Sequence, residues 1–325
     1  MARRCFVGID LGGTNIKGGV VDEDRKVLSR VSIPTEASKG PDHVIKLMAD
    51  LVGRAIKEAG LSPKGIDAVG IGSPGSMSHT QGIIIKPPNL PGWKNVPLRD
   101  RIKELTGLPT TLENDANAAA WGEYWAGAGR GTRHMVMFTL GTGVGGGIIT
   151  DGRLLRGHFD NGAELGHMIV QPGGRLCGCG QKGCLEAYAS ASYTGRRAQE
   201  AVEAGEPSVL RETFERTGQI TSEDVVKAAN NGDTLAGRVW DETCFYLAVA
   251  CVNMQHATNP ERILLAGGMT GACNALLDPI RRHAAEMTWK AADDLPEIIF
   301  ATLGNDAGFI GAAGAAWLAR QEGEI

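Results

Sequence analysis

Three groups of residues in this chain could do chemistry. Cys177, Cys179 and Cys184 are spaced C-x-C-x4-C, and His167 stands ten residues before the first of them. Three thiolates and an imidazole make a closed tetrahedral zinc site of the structural kind, with no open position for catalysis. Gly178, Gly180 and Gly183 permit the tight loop in which the sulfurs converge. Asn114-Asp115 follows a short apolar segment and precedes an Ala-rich stretch, which places it at a strand-to-helix corner. An Asp there is either a helix cap or a carboxylate free to accept a proton. Three glycine turns, each after a strand-like run, complete the set: Gly12-Gly13-Thr14, Gly141-Thr142-Gly143 and Gly267-Gly268. Backbone N–H groups in such turns can converge on one anion, and the missing Cβ atoms let phosphate come close. Together the turns suit a nucleotide polyphosphate.

The elements that must position these groups contain an internal repeat. Residues 6–9 run as a strand into the first turn and 18–21 return; residues 135–140 run into the second and 146–149 return. Leu11-Gly12 aligns with Leu140-Gly141, and Gly18-Gly19-Val20-Val21 with Gly146-Gly147-Ile148-Ile149, with one residue deleted between. The pattern reads as a diverged duplication: two domains, each opening with a β-hairpin. Helical spacing or composition predicts helices over 44–59, 98–106, 117–126, 190–204, 221–230, 233–257 and 308–320. Strands are expected at 68–71, 83–85, 262–266 and 298–301, and a hinge near 117–135. No G-x-x-x-x-G-K-[ST] occurs, so this is not a P-loop protein. G-x-G-x-x-G does occur, at Gly141/Gly143/Gly146 and Gly70/Gly72/Gly75, but neither copy is followed by the helix a Rossmann site requires.

A chain of 325 residues suggests two domains at roughly 150 residues each. Lys plus Arg is 33 against 37 for Asp plus Glu, a net charge of −4 that argues against a nucleic-acid coat or a polybasic membrane patch. At 42% apolar residues, substantial cores are possible. Glycine, 46 of 325 residues, is present at twice the usual roughly 7%, and the excess is expected in tight turns and close backbone approaches, usually loops shaped around a ligand. The apolar stretch at 5–9 is cut by Asp10, and the longest strongly apolar run, 245–252, is far below the ~20 residues that span a bilayer. Neither export nor membrane insertion is expected, and the reading is cytoplasmic.

D-L-G-G-T-N at 10–15 resembles the first phosphate motif of the actin/hexokinase/Hsp70 superfamily. L-E-N-D-A-N-A-A-A-W-G-E at 112–123, L-G-T-G-V-G-G-G-I-I at 140–149, E-L-G-H at 164–167, C-G-C-G-Q-K-G-C-L-E at 177–186 and A-G-G at 266–268 extend the likeness. The whole pattern resembles the ROK family of sugar kinases and repressors. That resemblance implies an α/β, two-domain actin-like ATPase (ribonuclease H-like/hexokinase) fold with a ligand cleft between the domains. One domain would hold 1–120 plus a C-terminal helix at about 305–325, and the other, 121–304, the zinc loop and adenosine site.

The implied activity is ATP-dependent phosphorylation of glucose at its 6-hydroxyl, with Asp115 as general base and Asp10 holding Mg²⁺. Nucleotide contacts carry over to Asp10, Gly12, Gly13, Thr14, Asn15, Lys17, Thr139, Gly141, Thr142, Gly143, Gly145, Gly267 and Gly268. Sugar contacts carry over to Gly75, Asn89, Asn114, Asp115, Glu164, His167 and Glu186; His167 would put one nitrogen on zinc and turn the other toward the sugar. Trp93, in a loop resembling the family's cleft-facing ones, either packs or stacks. A kinase for another hexose (N-acetylmannosamine, N-acetylglucosamine or fructose) stays open, as does polyphosphate as donor. A sugar-sensing repressor would carry a helix-turn-helix ahead of the phosphate motif, which here begins at residue 10. Family habit implies a homodimer or homotetramer. One departure stands out: Asn161-Gly162-Ala163 precedes Glu164, where many family glucokinases have Ala-Gly.

Overall fold

Every second side chain of β1 (Cys5–Leu11) faces the same way, and both faces are buried. Cys5, Val7, Ile9 and Leu11 join one core cluster and Phe6 another, so the strand is covered on both sides. The chain turns into β2 (Asn15–Asp22), which pairs antiparallel with β1 and with β3 (Val31–Pro34). Helix α1 (Pro41–Glu58) starts with Pro41 and buries a stripe from Val44 to Ile56 against the β1 core. Strand β4 (Ala68–Ser73) lies parallel to β1; β5 (Ser76–Ser78) and β6 (Ile83–Lys86) form a separate hairpin. Helix α2 (Leu98–Thr106) stops where Gly107 enters the left-handed region. Strand β7 (Thr110–Asn114), parallel to β4, runs directly into α3 (Asp115–Ala126). The structure, a computed structural model, describes residues 3–87, 90–289 and 295–325.

The second half repeats the plan. β8 (Met135–Leu140), β9 (Val144–Thr150) and β10 (Arg153–Leu154) are followed by α4 (Glu186–Ala189), α5 (Ala191–Glu203), α6 (Leu210–Thr217), α7 (Ser222–Asn230) and α8 (Thr234–Thr258). Then come β11 (Arg262–Ala266), α9 (Asn274–Met287), β12 (Glu297–Phe300) and α10 (Ala307–Glu322). The first sheet has the strand order β3-β2-β1-β4-β7 and the second β10-β9-β8-β11-β12, the same plan position by position. The duplication read from two glycine turns thus extends through five strands each. Helix α9 escapes a reading by composition because it contains Pro279. A proline cannot donate to the carbonyl four residues back. That carbonyl, on Ala275, instead accepts from Trp240 Nε1 at 2.7 Å.

Two compact units divide the chain: Met1–Thr132 with Gly147–Ala163 and Thr302–Ile325, and Arg133–Gly146 with Glu164–Ala301. In the first, α10 packs on β1, β4 and α3. A Cβ added at Gly8 or Gly70 would fall on the carbonyls of Phe309 and Ala312, so helix and sheet meet backbone to backbone. Part of the glycine excess thus serves close backbone approaches in the core, beyond the loops. Buried Glu123 accepts from the backbone N–H of Ala128, Thr302 and Leu303, and so ties down α3's exit and the approach to α10. Among the described residues no helix is long and apolar enough to cross a membrane.

Candidate active site

In the first unit the strand registers place β1, β4 and β7 side by side, with Asp10 opposite Gly72, Gly72 opposite Glu113 and Ser73 opposite Asn114. The carboxyl ends of parallel strands are where α/β sheets bind ligands. At the β7–α3 corner, Asn114 Oδ1 accepts from the N–H groups of Ala116 (2.9 Å) and Asn117 (3.1 Å). The cap is therefore Asn114, not Asp115, and α3 begins at Asp115 rather than at 117. Asp115 Oδ1 takes only the Ala116 N–H, at 2.8 Å. Burial pushes its carboxyl above the usual range, against the pull of these backbone donors. Burial and the neighbouring Asp115 push Asp10 up to about 6, opposed by Lys17, its cross-strand partner. The Asp115 charge thus adds to burial in raising Asp10, and two acids displaced upward stand together at the strand ends, a pattern that marks a candidate site.

The first glycine turn is built by its own backbone: Gly12 N donates to Asn15 O at 3.0 Å. Thr35, which sequence reading missed, holds the turn from below, its Oγ1 on Gly12 O at 2.6 Å and its N on Thr14 O at 2.9 Å. Gly13, Thr14 and Asn15 are exposed, open to a ligand. Gly75 turns with φ +90 and has no room for a side chain beside Pro87. Trp93 is only 4% exposed and packs with Leu90 and Val96, so it packs rather than stacks. Asn89 lies outside the described residues.

In the second unit, Thr139, next to last in β8, lies opposite Ala266, and Gly267 (φ +92) lies against the Leu140 backbone, with Gly268 next. The second and third glycine turns are thus neighbours. Gly141 N donates to Gly143 O at 3.0 Å, Thr142 is exposed, and Gly145 lies in β9. Glu186 reaches this turn: its Oε2 accepts from Val144 N at 3.0 Å, and a Cβ at Gly143 would strike it. Glu186 Oε1 also lies 3.5 Å from Cys177 Sγ. Glu164 opens the 3₁₀ turn Leu165–His167, whose Gly166 presses against Val144 O. The E-L-G-H segment, the second glycine turn and Glu186 therefore form one structural block. Just before it Ala163 has φ +65, while a Cβ at Gly162 would sit 2.8 Å from Arg156 O. The inverted Gly-Ala order thus puts a side chain where glycine fits best.

His167, Cys177, Cys179 and Cys184 bring one ligand atom each to within 4.8 Å of one another, a group that could hold a metal ion. The Cys179 and Cys184 sulfurs are 3.7 Å apart, and Cys177 Sγ is 3.9 Å from His167 Nδ1. Gln181 Nε2 donates to His167 O (2.8 Å) and to Cys184 Sγ (3.2 Å), bracing the loop. Burial pushes the Cys177 thiol up to about 12 and raises Cys184, so a cation is what would make these thiolates favourable.

A duplicated sheet with a glycine-turn hairpin at each entrance matches the actin-like two-domain fold. The chain belongs to the ROK family, whose model matches residues 6–322. It is 39% identical over 323 residues to a glucokinase of Halalkalibacterium halodurans, an alignment covering 99% of this chain and 97% of the relative. Among solved structures it is similar to the ROK hexokinase of Thermus thermophilus (TM-score 0.83, 35% identity, 98% of this chain and 99% of the other). It is also similar to a ROK glucokinase of Streptomyces griseus in complex with glucose and AMPPNP (TM-score 0.77, 35% identity, 98% and 99% covered).

Proposed function

We propose that this protein is an ATP-dependent glucokinase in which Asp115 takes the proton from the sugar's 6-hydroxyl as it attacks the γ-phosphoryl group. The observation that carries the reading is the capping of α3 by Asn114, which leaves the Asp115 carboxylate at the strand ends beside Asp10. A general base must be a carboxylate not already spent on the fold. Full-length likeness to glucokinases supports the substrate and the donor. The chemistry needs little beyond positioning and charge. Asp10 would hold Mg²⁺, which supplies charge neutralisation on the phosphates when bound. The turns at 12–15 and 141–143, where Gly13, Thr14, Asn15 and Thr142 are exposed, would cradle those phosphates, and Gly267-Gly268 would pack beside adenosine. Asn114, Glu164, His167 and Glu186 would take sugar hydroxyls.

Zinc is the metal that best suits the thiol cluster. Zn–S bonds of about 2.3 Å at tetrahedral angles give ligand–ligand edges of about 3.8 Å, and the distances of 3.7 and 3.9 Å support that fit. His167 Nδ1 is the nitrogen on the sulfur side, which leaves Nε2 for a substrate hydroxyl. Seven free cysteines suit a reducing compartment, in line with a cytoplasmic enzyme, and a homodimer or homotetramer follows family habit. The test is a panel of hexoses assayed with ATP and with polyphosphate. Glucose with ATP is expected to give the highest kcat/KM, with 6-phosphorylated product; a higher value for N-acetylmannosamine, N-acetylglucosamine or fructose would overturn the assignment.

A further inference from the structure

One buried charge in the first unit has no part in the roles assigned above. Glu113, 2% exposed, is the penultimate residue of β7, where an apolar side chain would satisfy the strand. Burying a carboxylate is costly unless it is paired and fully hydrogen-bonded. Its Oε1 accepts from the backbone N of Asn114 (3.1 Å) and from Asn117 Nδ2 (3.3 Å), both at the catalytic corner. Its Oε2 accepts from Arg156 Nε at 2.7 Å. Arg156 belongs to the segment that runs through Gly162 and Ala163 into Glu164, and its own carbonyl accepts from Gly162 N at 2.7 Å. His79, from the loop between β5 and β6, joins the same group. Its Nδ1 lies 3.8 Å from Glu113 Oε2 and 2.7 Å from Leu112 O, while its backbone N donates to Asp160 Oδ2 at 2.9 Å. Three segments distant in sequence thus meet at one carboxylate.

We propose that Glu113 is a positioning residue for the hexose: one oxygen fixes the Asn114–Asp115 corner, and the other, through Arg156, fixes the 156–163 segment that leads into Glu164 in the chain. The strand itself does not need the charge; the joined segments do. This rests on the reading that Asn114, Asp115 and Glu164 hold the sugar. Because the Asn114 side chain still caps α3, and so still places Asp115, when the clamp is lost, the clamp acts on sugar affinity more than on the chemical step.

The test uses Glu113→Gln, Arg156→Met, Arg156→Lys and the double variant Glu113→Gln/Arg156→Met in the full-length protein, with KM for glucose and for ATP, kcat and Tm measured on each. Glu113→Gln and Arg156→Met are each expected to raise the glucose KM about 10-fold, with kcat within about three-fold and the ATP KM unchanged. The double variant should be no worse than the poorer single, since both remove one interaction. Arg156→Lys, which keeps the charge, should recover part of the loss. Wild-type glucose KM in folded variants, fully additive effects, or glucose and ATP KM rising together with a fall in Tm would each overturn the clamp. If Glu113→Gln does not fold, the two half-exposed Arg156 variants decide alone. Asp115→Asn assayed alongside separates the failures. An active Asp115→Asn overturns the site reading and the clamp's purpose with it. An inactive one beside an Arg156→Met with normal glucose KM overturns the clamp only.

Discussion

Asp10 is held where water only partly reaches it, and that carries a cost in stability. Moving its carboxyl from the ordinary 3.8 to about 6 corresponds to about 3 kcal/mol. The folded-state value lies above the unfolded one, so the fold prefers the protonated acid; the penalty is absent below about pH 4 and complete above about pH 6. Asp10→Asn is therefore expected to raise Tm at pH 7.5, to leave it unchanged near pH 4, and to lose turnover; melts at the two pH values check this, and an unchanged Tm at both would contradict it. By the same sign, kcat/KM of the wild type should fall as pH drops toward 6 rather than toward 4, because both Asp10 and Asp115 are displaced upward. Ala163 carries a second local cost. Its left-handed φ of +65 costs about 1–2 kcal/mol for a residue with a Cβ, partly offset by the entropy glycine adds to the unfolded chain. Ala163→Gly should gain up to about 1 kcal/mol in urea denaturation, and a loss of stability would show that the alanine is not strained.

Among elements, the thiol loop and the second glycine turn share Glu186, the last residue of the thiol motif, whose bond to the turn neither motif announces. Its bond to Val144 N and its approach to Cys177 mean that loosening the loop releases a group beside the turn. Cys179→Ser would swap a proposed thiolate ligand for a hydroxyl that binds zinc poorly. Elemental analysis should find less than one zinc per chain, and titrations on the same preparation should show glucose binding damaged before ATP binding. A zinc-free protein with unaltered glucose affinity would leave the metal with no part in sugar binding. The turn also shows which glycine reports on phosphate. A side chain at Gly143 strikes Glu186, whereas nothing lies within 4 Å of a Cβ at Gly141. Gly141→Ala is therefore the variant expected to weaken ATP while sparing glucose, and calorimetry giving wild-type ATP affinity would make that turn structural only.

Across the molecule, what could be read in advance was what local rules encode. The β1–β2 hairpin follows from alternation broken by Gly12-Gly13; α2 ends at Gly107 and β11 spans Arg262–Ala266 as their punctuation says. Misses have non-local causes. Helix α9 hides behind Pro279, whose missing bond is replaced from α8; α6 is too short and polar to announce itself; β5 forms only against β6. At the site, the motifs pointed to Asp10, Asp115 and the thiol and imidazole group that could hold a metal, because each proposed chemistry needs those residue types. They could not show that Asn114, not Asp115, caps α3, or that Thr35 and Glu113 hold the parts in place, since those bonds join residues far apart in the chain. The central claim is that the freed carboxylate of Asp115 is the base. Asp115→Asn, nearly isosteric and leaving the Asn114 cap intact, tests it most directly when kcat and glucose binding are measured on the same folded preparation. The expected result is glucose affinity near wild type with kcat lower by about 100-fold or more, the usual contribution of a general base; turnover within about three-fold of wild type would contradict it.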